Sequence, residues 1–415
     1  MTPSLPERIS LAANWLLETG IRNKDPNYSS FGSINHGYRV SSKGNTYSYA
    51  FTEITGYAIS CFLNFAKWFD NTNYFEAAQQ AGEYLLRIQN LSDREAYGAF
   101  MHSRDLVSEQ SRDEYYSFDA AVCINGLLDL YESTGNVEYR KASELAGQWL
   151  VEKMQKSDGS FLALYDGSMK RYGKTDIEHM WYYDGGCLHA KNIIALLKLA
   201  RVSGKSQFQN AARNACNWAL QLQNLDGGIW RNKQRDYIFT HAHCYATEGL
   251  IYAAWVLEEE VHKQAVMKAA DWLLLHQGKD GSFLYEYENS VRGMKRLVQN
   301  VQHNNYRELL RKKRTDATAQ AVRIWLILYC LFNDSKYLRA SQSAIDFLFN
   351  VQCINSSDKQ QVGGIYHGCL DLLLFQLPEH TLSSWCTMFS ASALYMFNEA
   401  RHNRLDVSKS ISELF

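Results

Sequence analysis

Apolar residues recur along the chain with the period of a helix, in two alternating patterns. In the first, an apolar stripe faces away from a polar side. It occurs in "AANWLLETG" around Trp15, "AGEYLLRIQ" ending at Gln89, and "AIDFLFNVQ" ending at Gln352. It occurs again in the runs from Trp149 to Gln155, Trp218 to Gln223 and Trp272 to Gln277. In the second pattern, apolar residues cover most of the circumference. These stretches open near Thr52, Ser117, Asp184, Thr240, Thr315 and Leu382. Several begin on Thr, Ser or Asp, whose side chains accept from the free N–H groups of a first helical turn. A striped helix buries one face, whereas a helix apolar nearly all round is enclosed by neighbours. Alternation of the two predicts concentric rings: an all-α (α/α)6 toroid of six helical hairpins, one domain over 1–415, with the second set inside.

Connection lengths add a direction. Inner-to-outer turns are short, around Asn71 to Asn73, Gly135, Gly204, Glu259 and Asp334. Outer-to-inner links are long: 19–51, 91–116, 157–183, 224–239, 278–314 and 353–381. All of the long links therefore fall on one rim, where the inner helices begin. Long loops in a compact domain usually carry function, which places the candidate site there.

Three of these links open with one phrase: "QKSDGSF", "QNLDGGIW" and "QGKDGSF". The glutamine ends an outer helix and can bond free carbonyls or the next unit. Asp-Gly supplies a tight turn, and the following Phe or Ile plugs back between helices. Repetition on this scale marks an array of supersecondary units. The phrase, Q-x3-G-x-[aromatic or apolar], resembles the glutamine–tryptophan repeat of the prenyltransferase and squalene-cyclase toroids, which implies the same architecture. The D-x-D-D acid motif of such a cyclase is absent. Asp184 and Cys187 in "YYDGGCLHA" lack the usual spacing of a prenyltransferase zinc set. The segments "YSYAFTEITGYAI", "HAHCYATEGL", "TDATAQAVRIWLIL" and "LSSWCTMFSASALYMF" are similar to toroidal proteins associated with bacterial polysaccharide synthesis. More loosely they resemble toroidal polysaccharide lyases, unsaturated-uronide hydrolases and glucuronyl epimerases. That resemblance implies a carbohydrate substrate.

Composition narrows the partners. A net charge of -1 gives no general field for nucleic acid. No apolar run is long enough to span a membrane, and the N-terminus lacks a signal-peptide pattern. Nine scattered cysteines without a C-x-x-C pair read as buried, reduced thiols, hence a cytoplasmic location. The 26 Tyr and 10 Trp suit a lined cleft.

Aligning the inner helices by their starts collects the candidate chemistry. The expected catalytic residues are Glu53, Asp184 and His243, then His241 and Glu248; the expected substrate contacts are Tyr57, Tyr116, Asp119, Tyr183, Asp316, Arg323 and Trp385. Sugar rings stack on aromatic faces, and hydroxyls need acid, amide and imidazole partners. Two carboxylates across a cleft can cleave a glycoside. A His or Tyr could instead take the proton next to a uronate while Arg323 neutralises its carboxylate, which is lyase or epimerase chemistry. Six inward helix N-termini favour anions, so the expected substrate is an acidic or phosphorylated saccharide, linked to polysaccharide synthesis or processing. His241 and His243 are two apart and share no helix face; zinc would need further ligands, so no metal or cofactor is expected. The basic stretch 292–314 reads as an insertion or lid able to grip an anionic glycan or a lipid-linked sugar. The rival readings are a non-catalytic glycan-binding scaffold and a toroidal isoprenoid enzyme.

Overall fold

The computed structural model describes residues 2–173, 185–288, 312–372 and 375–415. The outer helices are α1 (Leu5–Glu18), α3 (Thr72–Ile88), α5 (Val137–Trp149, extended by a π turn to Met154), α7 (Ser206–Leu222), α9 (Glu260–His276) and α11 (Ser335–Asn350). The inner helices are α2 (Thr52–Phe69), α4 (Ser117–Thr134), α6 (Asn192–Ser203), α8 (Thr240–Leu257), α10 (Thr315–Phe332) and α12 (Ser384–Arg401). Each inner helix packs on the next, and α12 returns to α2. The rings are those the apolar patterns predict. In α8 every residue from Thr240 to Ala253 is buried, whereas α7 buries one stripe. The ring closes across the chain ends, because α1 is the outer partner of α12.

The third inner helix departs from expectation. It does not run as α-helix from Asp184, which lies outside the described residues; a 3-10 turn, Cys187–Lys191, leads into α6. A Cβ on Gly185 would sit 1.9 Å from the Phe161 carbonyl oxygen, so the chain passes too close for a side chain.

The short turns pivot on one left-handed residue each: Asp70, Gly135, Gly204, Glu258 and Asn333. The long links begin with a shared device. The side chains of Gln89, Gln155, Gln223, Gln277 and Gln352 each donate to two carbonyls. One belongs to a glycine later in the same link: Gly98, Gly159, Gly227, Gly281 or Gly363. The other belongs to the next outer helix: Ala142, Ala211, Ala265, Ala340 or Arg8. Two residues after each glycine an apolar plug enters the core: Phe100, Phe161, Ile229, Phe283 and Ile365, all at most 1% exposed. Gly32 and Ile34 repeat the glycine and the plug in the first link.

A second device fixes the rim. The first backbone N–H of every inner helix, the third counted from its leading 3-10 turn at Cys187, donates to a carbonyl two residues beyond the next plug. Thr52 reaches His102 (3.1 Å), Ser117 reaches Ala163 (3.2 Å) and Cys187 reaches Arg231 (2.7 Å). Thr240 reaches Tyr285 (3.1 Å), Thr315 reaches His367 (3.2 Å) and Ser384 reaches His36 (3.4 Å), closing the circle. The sequence does not announce strands, yet the long links form short antiparallel pairs across repeats. Glu114–Tyr116 pairs with Leu164–Asp166, Tyr237–Phe239 with Glu286–Glu288, and Lys312–Arg314 with Gly368–Leu372. Of the basic stretch, 292–311 lies outside the described residues, and its last three residues form one of these strands. At the opposite end of the ring, α13 (Val407–Ser412) and the buried Leu414 and Phe415 fill the centre; Phe415 stacks on Phe389 at 5.6 Å. Among the described residues, no helix is long and apolar enough to cross a membrane.

Candidate active site at the rim

The two devices bring six equivalent positions to the mouth of the ring: His36, His102, Ala163, Arg231, Tyr285 and His367. Three are histidines. The second residue of each inner helix stands beside them: Glu53, Phe118, Leu188, His241, Asp316 and Trp385. Backbone geometry thus gathers a cluster of imidazoles, acids and rings from distant parts of the chain.

Two imidazoles are backed by carboxylates. His102 Nδ1 lies 2.6 Å from Asp119 Oδ2, and His367 Nδ1 lies 2.8 Å from Glu379 Oε2. The hydrogen bond from His367 holds the Glu379 carboxyl below its usual range, against the cost of its burial. A carboxylate on Nδ1 fixes the ring orientation and turns Nε2 toward a ligand. Trp385 forms a wall between imidazoles, with ring centroids 4.7 Å from His36 and 5.2 Å from His367. Its Nε1 donates to Asp316 Oδ2 at 3.1 Å. Asp316 is buried, which opposes ionisation, but the guanidinium of Arg314, 2.7 Å from Oδ1, holds it ionised well below the ordinary range. Burial, followed by the Arg314 charge, pushes His241 well below the ordinary imidazole value. His36 is pushed down to about 4 by burial, then by His367 and His102. Tyr285 packs 5.8 Å from His241 and 5.2 Å from the Arg314 guanidinium carbon.

Glu53 is 8% exposed. Burial first, then the nearby Asp119, raises it well above the ordinary carboxyl range. Between the unfolded value of 4.5 and that raised value, the folded state holds a proton that the unfolded state has released. Stability therefore falls as pH rises through this window. Glu53→Gln is expected to remove that slope and to be more stable than the wild type at pH 8. Urea midpoints of both proteins at pH 5 and pH 8 would check it; parallel pH dependence would refute it.

The other expected residues divide between rim, floor and wall. Tyr116 lies at the rim, its ring 4.4 Å from His102. Tyr57 is 1% exposed and lies beneath, against Phe389 at 5.2 Å. Glu248 and Arg323 are deeper still. Glu248 accepts from Lys191 and, at 3.3 Å, from Gln320, with Arg323 Nη2 3.5 Å away. Lys191 also donates to the Phe415 carbonyl, and burial pulls it down to about 8. These groups form a buried ionic layer under the funnel.

His243 is not brought to the cluster. It sits between α8 and α9, where Nδ1 accepts from the Ile229 N–H at 3.2 Å and Nε2 meets the Ala269 carbonyl at 3.1 Å. Thr55 and Thr387, at the equivalent helix position, bond the plugs Ile34 and Ile365 in the same way. His243 thus does a threonine's job in this repeat, and burial pushes it down to about 3. The extended helix start that would turn both His241 and His243 inward is not found: α8 is helical from Thr240. Asp184 and Tyr183 lie outside the described residues.

Sequence reading passed over His36, His102, His367 and Glu379, and took Arg314 only as the end of the basic stretch. The signal is present: "INHG" and "IYHG" repeat a plug, one residue, then His-Gly, and "FMHS" follows the same frame.

No family model and no curated protein matches the chain. Solved structures do. A cellobiose 2-epimerase from Bacillus thermoamylovorans B4167 is similar with a TM-score of 0.72 at 14% identity, covering 95% of this chain and 99% of its own. A D-mannose isomerase gives 0.69 at 12% identity, covering 95% and 97%. An unsaturated glucuronyl hydrolase specific for heparin gives 0.66 at 13% identity, covering 97% and 99%. At these identities the likeness establishes the fold: the chain is an (α/α)6 toroid matched over nearly its whole length.

Proposed function

We propose that the chain is a carbohydrate-active enzyme of the epimerase or isomerase type. It would move a proton at the carbon next to the carbonyl of an open-chain aldose, with His241 and His367 as the transferring groups. The supporting observation is that both imidazoles lie near the buried Asp316, which Arg314 and Trp385 bond, with Trp385 packed 5.2 Å from His367 and Tyr285 5.8 Å from His241.

A C–H bond next to a carbonyl breaks when a base takes the proton and the electron pair moves onto the carbonyl oxygen. Return of a proton to the opposite face of the same carbon gives the epimer. Return to the neighbouring carbon gives the ketose. Neither outcome changes the oxidation level of the sugar as a whole, so no redox partner is needed. Burial keeps His241 in the neutral form that a base requires, and the nearby Asp316 carboxylate offsets part of the cost of protonating it. Glu379 on Nδ1 orients the His367 ring so that Nε2 can deliver a proton to the substrate. His36, and His102 with Asp119, would bind hydroxyls, and Trp385 offers a face to a sugar ring. The epimerase and the isomerase among the similar structures point the same way.

A second reading, glycoside hydrolysis, is favoured by one observation. Glu53 holds its proton well above the ordinary range with Asp119 nearby, an arrangement suited to a general acid. Arg323, the cation expected to neutralise an acidic substrate, lies beneath the floor, while Arg231 and Arg314 at the rim each bond a carboxylate of their own, Asp236 and Asp316. Uronates, phosphorylated sugars and lipid-linked repeating units from polysaccharide synthesis thus enter as arms of the test.

That test is a saccharide screen in deuterated water, followed by proton NMR. Deuterium entering next to the carbonyl, with an epimer or ketose appearing, is the expected result. Release of a new reducing end without deuterium would favour hydrolysis. Binding with no product from any sugar would sink both in favour of a glycan-binding scaffold.

A further inference from the structure

The face opposite the rim carries a pocket of its own. It has a volume of about 250 Å³ and lies between the last turns of α2 and α12, the middle of α10 and the C-terminal segment. Arg323 lines it from within and is 1% exposed. The guanidinium carbon lies over the rings of Phe415 (4.5 Å) and Phe389 (5.3 Å). Glu248 Oε1 stands 3.5 Å from Nη2, but Nε and Nη1 have no hydrogen-bond partner among the described residues. Trp68 lines the same pocket, stacked on Tyr395 at 3.8 Å, and its buried Nε1 also lacks a partner.

Buried N–H donors in folded proteins are nearly always bonded, whether to protein, to water or to a bound group. Here two such side chains converge on one cavity. Of the other charges lining it, Arg404 pairs with Glu399 at 2.7 Å and Glu413 with Lys67 at 3.3 Å, while Asp406 caps α13 by accepting from the Lys409 N–H at 3.0 Å. Arg323 stands at the edge of the space with Nε and Nη1 unbonded among the described residues.

We infer that this pocket binds a small organic anion, a carboxylate or a phosphate ester. Its acidic group bonds Arg323, and its body lies against the Trp68–Tyr395 pair. Arg323 suits the role because a guanidinium keeps its charge when buried and presents several donors in one plane. The site is separate from the rim, so it stands whichever reaction the rim performs.

Calorimetric titration of the full chain with inorganic phosphate and with acetate, in chloride-free buffer, tests it. One site with a millimolar or tighter Kd is expected for at least one probe, and which probe binds identifies the acid. Arg323→Lys keeps the charge opposite Glu248 but has fewer donors, so at least tenfold weaker binding is expected. If that variant fails to fold, Trp68→Phe removes one donor and keeps a ring; at least threefold weakening is expected. His102→Ala, at the rim, is expected to leave binding unchanged. No heat from either anion, no weakening in the folded pocket variants, or a loss caused by His102→Ala would overturn the proposal.

Discussion

Turnover in His367→Ala is expected to fall by about 10²–10⁴-fold, the usual worth of a positioned acid or base. His241→Ala is expected to fall within the same range. Both rings would act on the reacting carbon, whereas substrate is held mainly by the surrounding hydroxyl partners and Trp385. The loss should therefore appear in kcat, with KM nearly unchanged. Glu379→Gln keeps a hydrogen-bond acceptor on Nδ1 but loses the negative charge, so a smaller fall in kcat is expected. His243→Ala provides the contrast. It removes a ring whose two nitrogens meet the Ile229 N–H and the Ala269 carbonyl. A loss of about 1–3 kcal/mol of stability is expected, with normal turnover by the folded fraction. Steady-state kinetics beside urea denaturation would separate these outcomes. Unchanged kcat in both His241→Ala and His367→Ala would remove the two from the reaction.

The largest expected effect on stability comes from Gly281→Ala. Gly281 has φ +85°, a conformation that L side chains rarely adopt, and an added Cβ would lie 1.9 Å from the Ser343 carbonyl oxygen. The contact is with the backbone of the neighbouring outer helix, so no side chain can rotate aside. Moving the link would also pull Gly281 away from Gln277 and lift Phe283 from the core. Left-handed strain costs about 1–2 kcal/mol, and forcing atoms into a packed site adds about 1–3 kcal/mol. A total near 3 kcal/mol is expected, read as a lower urea midpoint with little change in slope. A change below about 1 kcal/mol would mean that the link can shift, and would weaken its reading as a rigid staple.

The architecture was legible in the alternation of striped and fully apolar helices, and the side bearing the site in the lengths of the links. The site was legible in part. Glu53, Asp119, His241, Asp316 and Trp385 occupy the first turn of an inner helix, where alignment by helix starts finds them. Glu248 and Arg323 share those helices two turns further on, and depth along an axis is not written in residue type. His243 was misleading because polarity alone cannot distinguish a ring turned inward from one bonding a plug. The rim histidines were hidden by spacing. Gln155, Gln223 and Gln277 meet their glycines four residues on, whereas Gln89 and Gln352 meet theirs at Gly98 and Gly363. Those insertions disguise the frame, so the shared position of His102 and His367 shows only once the plugs are aligned in space.

The closure of the ring by α1 against α12 has a consequence for how the chain acquires its shape. Trp15, Leu16 and Leu17 are almost wholly buried, yet the inner helix that covers α1 begins at Ser384. On a nascent chain those residues wait, uncovered, for most of the synthesis. Contacts so distant in sequence form late and slow the search for the native state, and exposed apolar surface invites aggregation meanwhile. A permuted gene that starts at the short turn near Asn333, and joins the old ends through a flexible linker, would make α12 and α1 neighbours in sequence. Such a chain should refold faster and more completely at high concentration than the natural order.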